Sequence, residues 1–194
     1  MASLRDIRKR IRSVKNTQKI TGAMKLVAAA KLRKAQDAIT AARPYAVELG
    51  SMLHRIVPRT CDDGADAPHP LLHNGSEHRR VLLVVMTSDR GLCGAFNSNI
   101  VKECRSLMSN QYADKKVEFF TIGKKANDLL KKKETVIEHN TEIFDELNFE
   151  NNAVIAQNLM DHFSNGNYDR IILIYNKFKN AGTQIVTTEQ FLPI

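Results

Sequence analysis

The chain has 194 residues, 43% of them hydrophobic and 26% charged, with a net charge of +8. That length carries one domain or two small ones with a working core, and the balance is that of a folded chain rather than a disordered one. No run of about 18 apolar residues occurs, which argues against a membrane-spanning helix, and charges from Arg5 onward with no apolar segment behind them argue against a secretory signal.

The charge is uneven. Through residue 55 there are 13 basic residues against three acids, a net +10, whereas the remainder has 16 against 18, a net −2. The requirement for positive charge is therefore confined to the first segment. An Arg-rich, acid-poor start also fits an organelle transit peptide, but here the pattern runs on past any cleavage point. The three cysteines Cys61, Cys93 and Cys104 cannot all pair and fit a reducing compartment.

Steps of three and four along the first segment pick out Leu4, Ile7, Ile11, Val14, Gln18, Thr21, Lys25, Ala28, Leu32, Ala35, Ile39, Ala42, Ala46, Leu49, Leu53 and Ile56. This is a heptad seam, predicting a long coiled-coil helix over residues 1–57. Pro44 is expected to kink that helix without ending it, because the seam resumes beyond it. About 53 helical residues span roughly 80 Å, whereas the remaining chain should have a radius of gyration of about 14 Å. The seam must then be filled from outside this chain. The stretch "TQKITGAMKLVAAAKLRK" (17–34) is apolar around its whole circumference, which fits enclosure by protein better than a DNA groove or a lipid surface.

Residues 58–79 are rich in Pro, Gly, Asp and His and read as a connector. His69, His73 and His78 with Cys61 could hold a metal, but prolines beside His69 remove the helical spacing, and a solvated loop is the simpler reading. From 80 to 194 strands and helices alternate. Strands are expected at 81–86, 117–123, 135–139, 170–175 and 183–192. Helices are expected around Ile100–Met108, at 124–133, and along the stripe Val154, Ile155, Leu159 and Phe163, capped by Gly166. This pattern predicts an α/β unit with a mostly parallel, Rossmann-like sheet and an edge strand at the end.

Chemistry-bearing motifs are sparse. "SDRGLCGAFN" (88–97) lies where a strand gives way to a helix, a common phosphate position, but Gly91 and Gly94 supply only G-x-x-G. A tight turn is the reading preferred here. Cys93 is expected to be a buried, inert thiol, and a triad through Ser88 and Asp89 lacks a nominated histidine. Lys131, Lys132 and Lys133 read as a solvated helix end, and His54, His139 and His162 as isolated. No catalytic residue, cofactor or metal site is assigned.

Several blocks are recognisable together. "SVKNTQKITGAMKLVAAAKLRKAQ" (13–36), "ARPYA" (42–46), "SDRGLCGAFN" (88–97), "YNKFKN" (175–180) and "QFLPI" (190–194) closely resemble the gamma subunit of F-type ATP synthases. The resemblance implies a non-catalytic, central-stalk rotor subunit that couples transmembrane proton flow to ATP synthesis. The implied partners are a ring of alpha and beta subunits, the epsilon subunit and the membrane c-ring, with no nucleic acid and no membrane insertion. It implies that Gln18, Lys19, Thr21, Met24, Lys25, Val27 and Ala28 meet the ring. It also implies a peripheral position on the cytoplasmic face of a bacterial inner membrane, or on an organelle inner membrane. Members carry a second, C-terminal shaft helix after "LPI", so that helix is expected to be absent from this chain. The alternative function is a basic-helix module for nucleic acid or an anionic surface.

Overall fold

The structure is a computed structural model that describes residues 3–61, 69–72 and 79–194, with the side chains of 58–61 outside the described set. It divides into two units, residues 1–60 and 61–194.

The first unit is one helix, α1 (Leu4–Cys61), longer than the expected 57-residue boundary by four positions. Its helical assignment runs unbroken through Pro44.

The second unit is built on β1 (Arg80–Met86), β2 (Lys116–Ile122), β3 (Val136–Asn140), β4 (Arg170–Asn180) and β5 (Thr183–Leu192), in the order β3-β2-β1-β4-β5. All neighbours are parallel except β4 and β5. The helices are α2 (Phe96–Asn110), α3 (Lys124–Leu130) and α4 (Phe149–Ser164). The chain steps from β1 to β2 to β3 in one direction, through α2 and α3. It then returns across the sheet to β4, through α4. Right-handed crossovers in opposite directions place the helices on opposite faces.

Alternation along each strand divides the core accordingly. Val81, Leu83 and Val85 of β1 face Ile100, Val101 and Cys104 of α2 and Ala126 and Leu130 of α3. Leu82 and Val84 face Ile155, Leu159 and Phe163 of α4. The central strand is buried on both sides, which accounts for its continuous apolar run. In register, Leu83 stands beside Phe119 on one side and Ile172 on the other.

Three expectations change. Val154 is 70% exposed and does not belong to the α4 core stripe. The α3 helix stops at Leu130, so Lys131 and Lys133 fall in the following turn, where their N–H groups bond to Asn127 and Leu130 carbonyls. Strand β4 extends to Asn180 because β5 continues to pair with it after β1 has stopped at Ile174's partner, Val85.

Candidate partner interface

Helix α1 starts on a reciprocal cap. The Ser3 hydroxyl accepts from the Asp6 N–H at 3.3 Å, and the Asp6 carboxylate accepts from the Ser3 N–H and hydroxyl at 3.3 and 2.8 Å. Two end donors are thus satisfied, and a negative charge sits at the positive end of the helix dipole. Good helix formers then dominate: Ala, Lys, Arg, Leu, Gln and Met. The threonines are kept compatible by bonding backwards. Thr17, Thr21 and Thr40 donate to the carbonyls of Ser13, Thr17 and Gln36 at 3.1, 3.0 and 2.8 Å.

None of residues 3–57 is buried. Ile7, Ile11, Val14, Val27 and Leu32 are exposed, Met24 is 64% exposed and Leu26 is 73% exposed. Such a row of exposed large apolar side chains marks an interaction surface.

Gln18, Lys19, Thr21, Met24, Lys25, Val27 and Ala28 are all exposed on this helix. At about 100° per residue, Gln18, Thr21, Lys25 and Ala28 share an arc of about 80°, with Met24 beside it. Lys19 and Val27 lie about 100° and 180° from Gln18 and point elsewhere. The seven therefore ring the helix over roughly 15 Å of its length rather than forming one stripe. Among the described residues, no ion pair engages Lys19 or Lys25.

The loop after β1 uses its polar groups on itself. Asn97 accepts from the Ser88 N–H at 3.1 Å and donates to the Ser88 hydroxyl at 2.9 Å and to Cys93 Sγ at 3.2 Å. The Ser88 hydroxyl also donates to the Arg90 carbonyl at 2.7 Å. The Asp89 carboxylate accepts the Lys124 N–H at 2.8 Å and so occupies the start of α3 with negative charge. A self-braced turn carrying a carboxylate is poorly suited to phosphate. Cys93 is exposed, which corrects the expectation of a buried thiol, although its Sγ accepts the Asn97 side-chain N–H.

The histidines differ from expectation at one place. His162 Nε2 lies 3.3 Å from Glu138, and its Nδ1 lies 3.2 Å from Asn167. It is therefore not isolated. His69 accepts the Leu71 N–H at Nδ1, 3.3 Å away, so that nitrogen is already engaged. The remaining members of the suggested cluster, His73, His78 and the Cys61 side chain, lie outside the described residues. Sequence reading missed the turn Pro70–Leu72, whose Leu71 packs, partly buried, against the α4-side core. The signal was present: "PLL" is the one apolar cluster in a polar connector.

The family model described as ATP synthase matches residues 3–194. Curated proteins named ATP synthase gamma chain match across the whole chain: 54% identity in Flavobacterium johnsoniae, 46% in Cytophaga hutchinsonii and 42% in Bdellovibrio bacteriovorus. The chain belongs to the ATP synthase gamma-chain family. It spans 66%, 66% and 65% of the length of these three gamma chains. A solved Tetrahymena thermophila mitochondrial ATP synthase central stalk and c-ring contains a similar chain at 25% identity and TM-score 0.50, covering 79% of this chain and 71% of that one. A Euglena gracilis mitochondrial ATP synthase chain shares the fold at 19% identity and TM-score 0.56, over 95% and 55% of the two chains. The gamma-family architecture of a long N-terminal helix with a mixed, mostly parallel five-stranded sheet is the one seen here. Among the described residues, no helix is long and apolar enough to cross a membrane.

Proposed function

We propose that this chain is the shaft-and-base part of an ATP synthase central stalk. It is non-catalytic. Helix α1 turns inside a ring of alternating alpha and beta subunits, which carry the nucleotide sites, and the α/β unit stands at the foot, beside epsilon and the c-ring. Proton flow drives the rotation, and the changing face of the shaft drives the beta subunits. The observation that carries this reading is the 54% identity over 194 residues, the whole of this chain, with a gamma chain. The bare heptad seam supports it, because an exposed apolar helix of this length needs neighbours. The bacterial relatives favour a peripheral place at the cytoplasmic face of the inner membrane.

Within this reading Gln18, Lys19, Thr21, Met24, Lys25, Val27 and Ala28 are the ring contact. Their spread around α1 suits a helix surrounded by partners. The chain is read as shaft (1–57, its helix continuing to Cys61), connector (58–79) and base (80–194).

The test is capture of purified alpha and beta subunits by the tagged chain, measured from 50 to 500 mM salt beside a duplex DNA control. Retention of alpha and beta with no salt-sensitive DNA binding is expected. Tight DNA binding that collapses with salt, and no capture of alpha and beta, would overturn the reading.

A further inference from the structure

The turn Pro70–Leu72 touches the base unit in two independent ways. The Leu71 side chain packs into the core between the sheet and α4. The Leu71 carbonyl accepts the Ile194 N–H at 3.0 Å, from the end of β5. The turn also closes on itself: the Leu72 N–H donates to the His69 carbonyl at 3.0 Å and the Leu71 N–H to His69 Nδ1 at 3.3 Å. A second fixed point follows at Asp169, whose carboxylate accepts the N–H groups of Arg79 and Arg80 at 2.9 and 2.8 Å.

We infer that His69–Leu72 is a docking clip, the point at which the chain leaving α1 is fastened to the base unit. Its consequence is a shorter leash. From Cys61 to His69 there are eight residue steps, reaching at most about 28 Å whatever their conformation. Without the clip the first fastening after Cys61 among the described residues is Arg79 or Arg80, about 65 Å of chain away. The volume open to the end of α1 falls by roughly an order of magnitude, by the cube of those reaches. The apolar pair in the connector is thereby explained: Leu71 is a plug, and the polar residues around it need no core. The clip also ties the connector to the residues just after β5 through one hydrogen bond, Ile194 to Leu71. This inference concerns attachment within the chain and stands apart from the rotor reading.

The experiment uses the full chain with spin labels on Met52→Cys and Ser109→Cys, in a background of Cys61→Ser and Cys93→Ser. Ten Gly/Ser residues are inserted either after residue 64 or after residue 75. Such an insert adds about 17 Å of r.m.s. length to whichever leash contains it. The insert after 64 should broaden the interlabel distance distribution by that order, and the insert after 75 should leave it unchanged. In a Leu71→Asp chain both inserts should broaden it. Equal broadening by the two inserts in the wild-type background, or no broadening by either, would overturn the clip. So would an insert after 75 that stays silent when Leu71→Asp is present.

Discussion

Gly123 lies so close to Thr87 that a Cβ on it would come within 2.2 Å of the Thr87 carbonyl oxygen and 3.1 Å of its hydroxyl. Gly123 also has φ +99°, a backbone region side chains rarely adopt. The contact joins the end of β1 to the start of α3, where the Thr87 hydroxyl accepts the Ala126 N–H at 2.8 Å. Gly123→Ala is therefore expected to cost about 2–3 kcal/mol. Urea denaturation of the variant would show it as a lowered midpoint. Gly22→Ala, in open space on α1, should show no such loss.

Glu118 and Tyr168 predict opposite pH dependences from one hydrogen bond. Tyr168 Oη donates to Glu118 at 2.8 Å, and Lys116 Nζ lies 3.0 Å from the same carboxylate. Burial works against the charge on Glu118, but the bonds from Tyr168 and Lys116, with the positive charges of Lys116 and Arg80, outweigh it and hold its pKa below the usual value. Its stabilisation is present above about pH 4.3 and is lost as pH falls through the depressed folded value. Burial first, and then the bond to Glu118, raise the Tyr168 pKa. That stabilisation is present below about pH 10 and is lost as pH rises through the folded value. Denaturant titrations from pH 3 to 11 should show the wild-type advantage over Glu118→Gln shrinking on the acid side. The advantage over Tyr168→Phe should shrink on the alkaline side. A constant gap in either comparison would contradict the assignment.

Cys104 and Cys93 should separate cleanly under alkylation. Burial pushes the Cys104 thiol up to about 12 and walls it in between β1 and α2, whereas Cys93 is exposed. At neutral pH Cys104 then has roughly a thousand-fold less thiolate than an ordinary thiol. In a Cys61→Ser chain, iodoacetamide should modify Cys93 in the native state and reach Cys104 only on unfolding, as peptide mass spectrometry would show.

Ala28→Glu tests the proposed ring contact without disturbing the chain itself. Ala28 is exposed and shares an arc with Gln18, Thr21 and Lys25. Its replacement should change the stability of the chain by no more than about 0.5 kcal/mol. Capture of alpha and beta subunits should weaken by at least about tenfold, as expected for a charge buried without a partner. Val154→Glu, on the exposed side of α4, is the control and should capture normally.

Much of the architecture was legible because burial leaves a period. The runs at 81–86 and 170–175 read as strands buried on both faces, and the three-four seam read as a long helix. The edge strand at 183–192 was expected, but its antiparallel direction was not, and its burial does not alternate. Two of the misses share a cause: contacts between residues far apart in the chain leave no local period. His162 meets Glu138 across 24 positions, and Tyr168 meets Glu118 across 50. Val154 occupies a helical position next to the core stripe, and only the width of the α4 contact decides that it faces out. The exposure of Cys93 depends on a turn in which Leu92 and Gly94 both take positive φ, a conformation that a leucine does not advertise.

Pro44 gives α1 an uneven stiffness. The helix passes through it, yet a proline has no N–H, so the carbonyl of Thr40 lacks the bond that would normally close that turn. The bending modulus is thus lowest at one known place, about 25 Å before the end of the helix at Cys61. A sideways load on α1 flexes it there first, and a twist applied at one end is stored most readily in that turn.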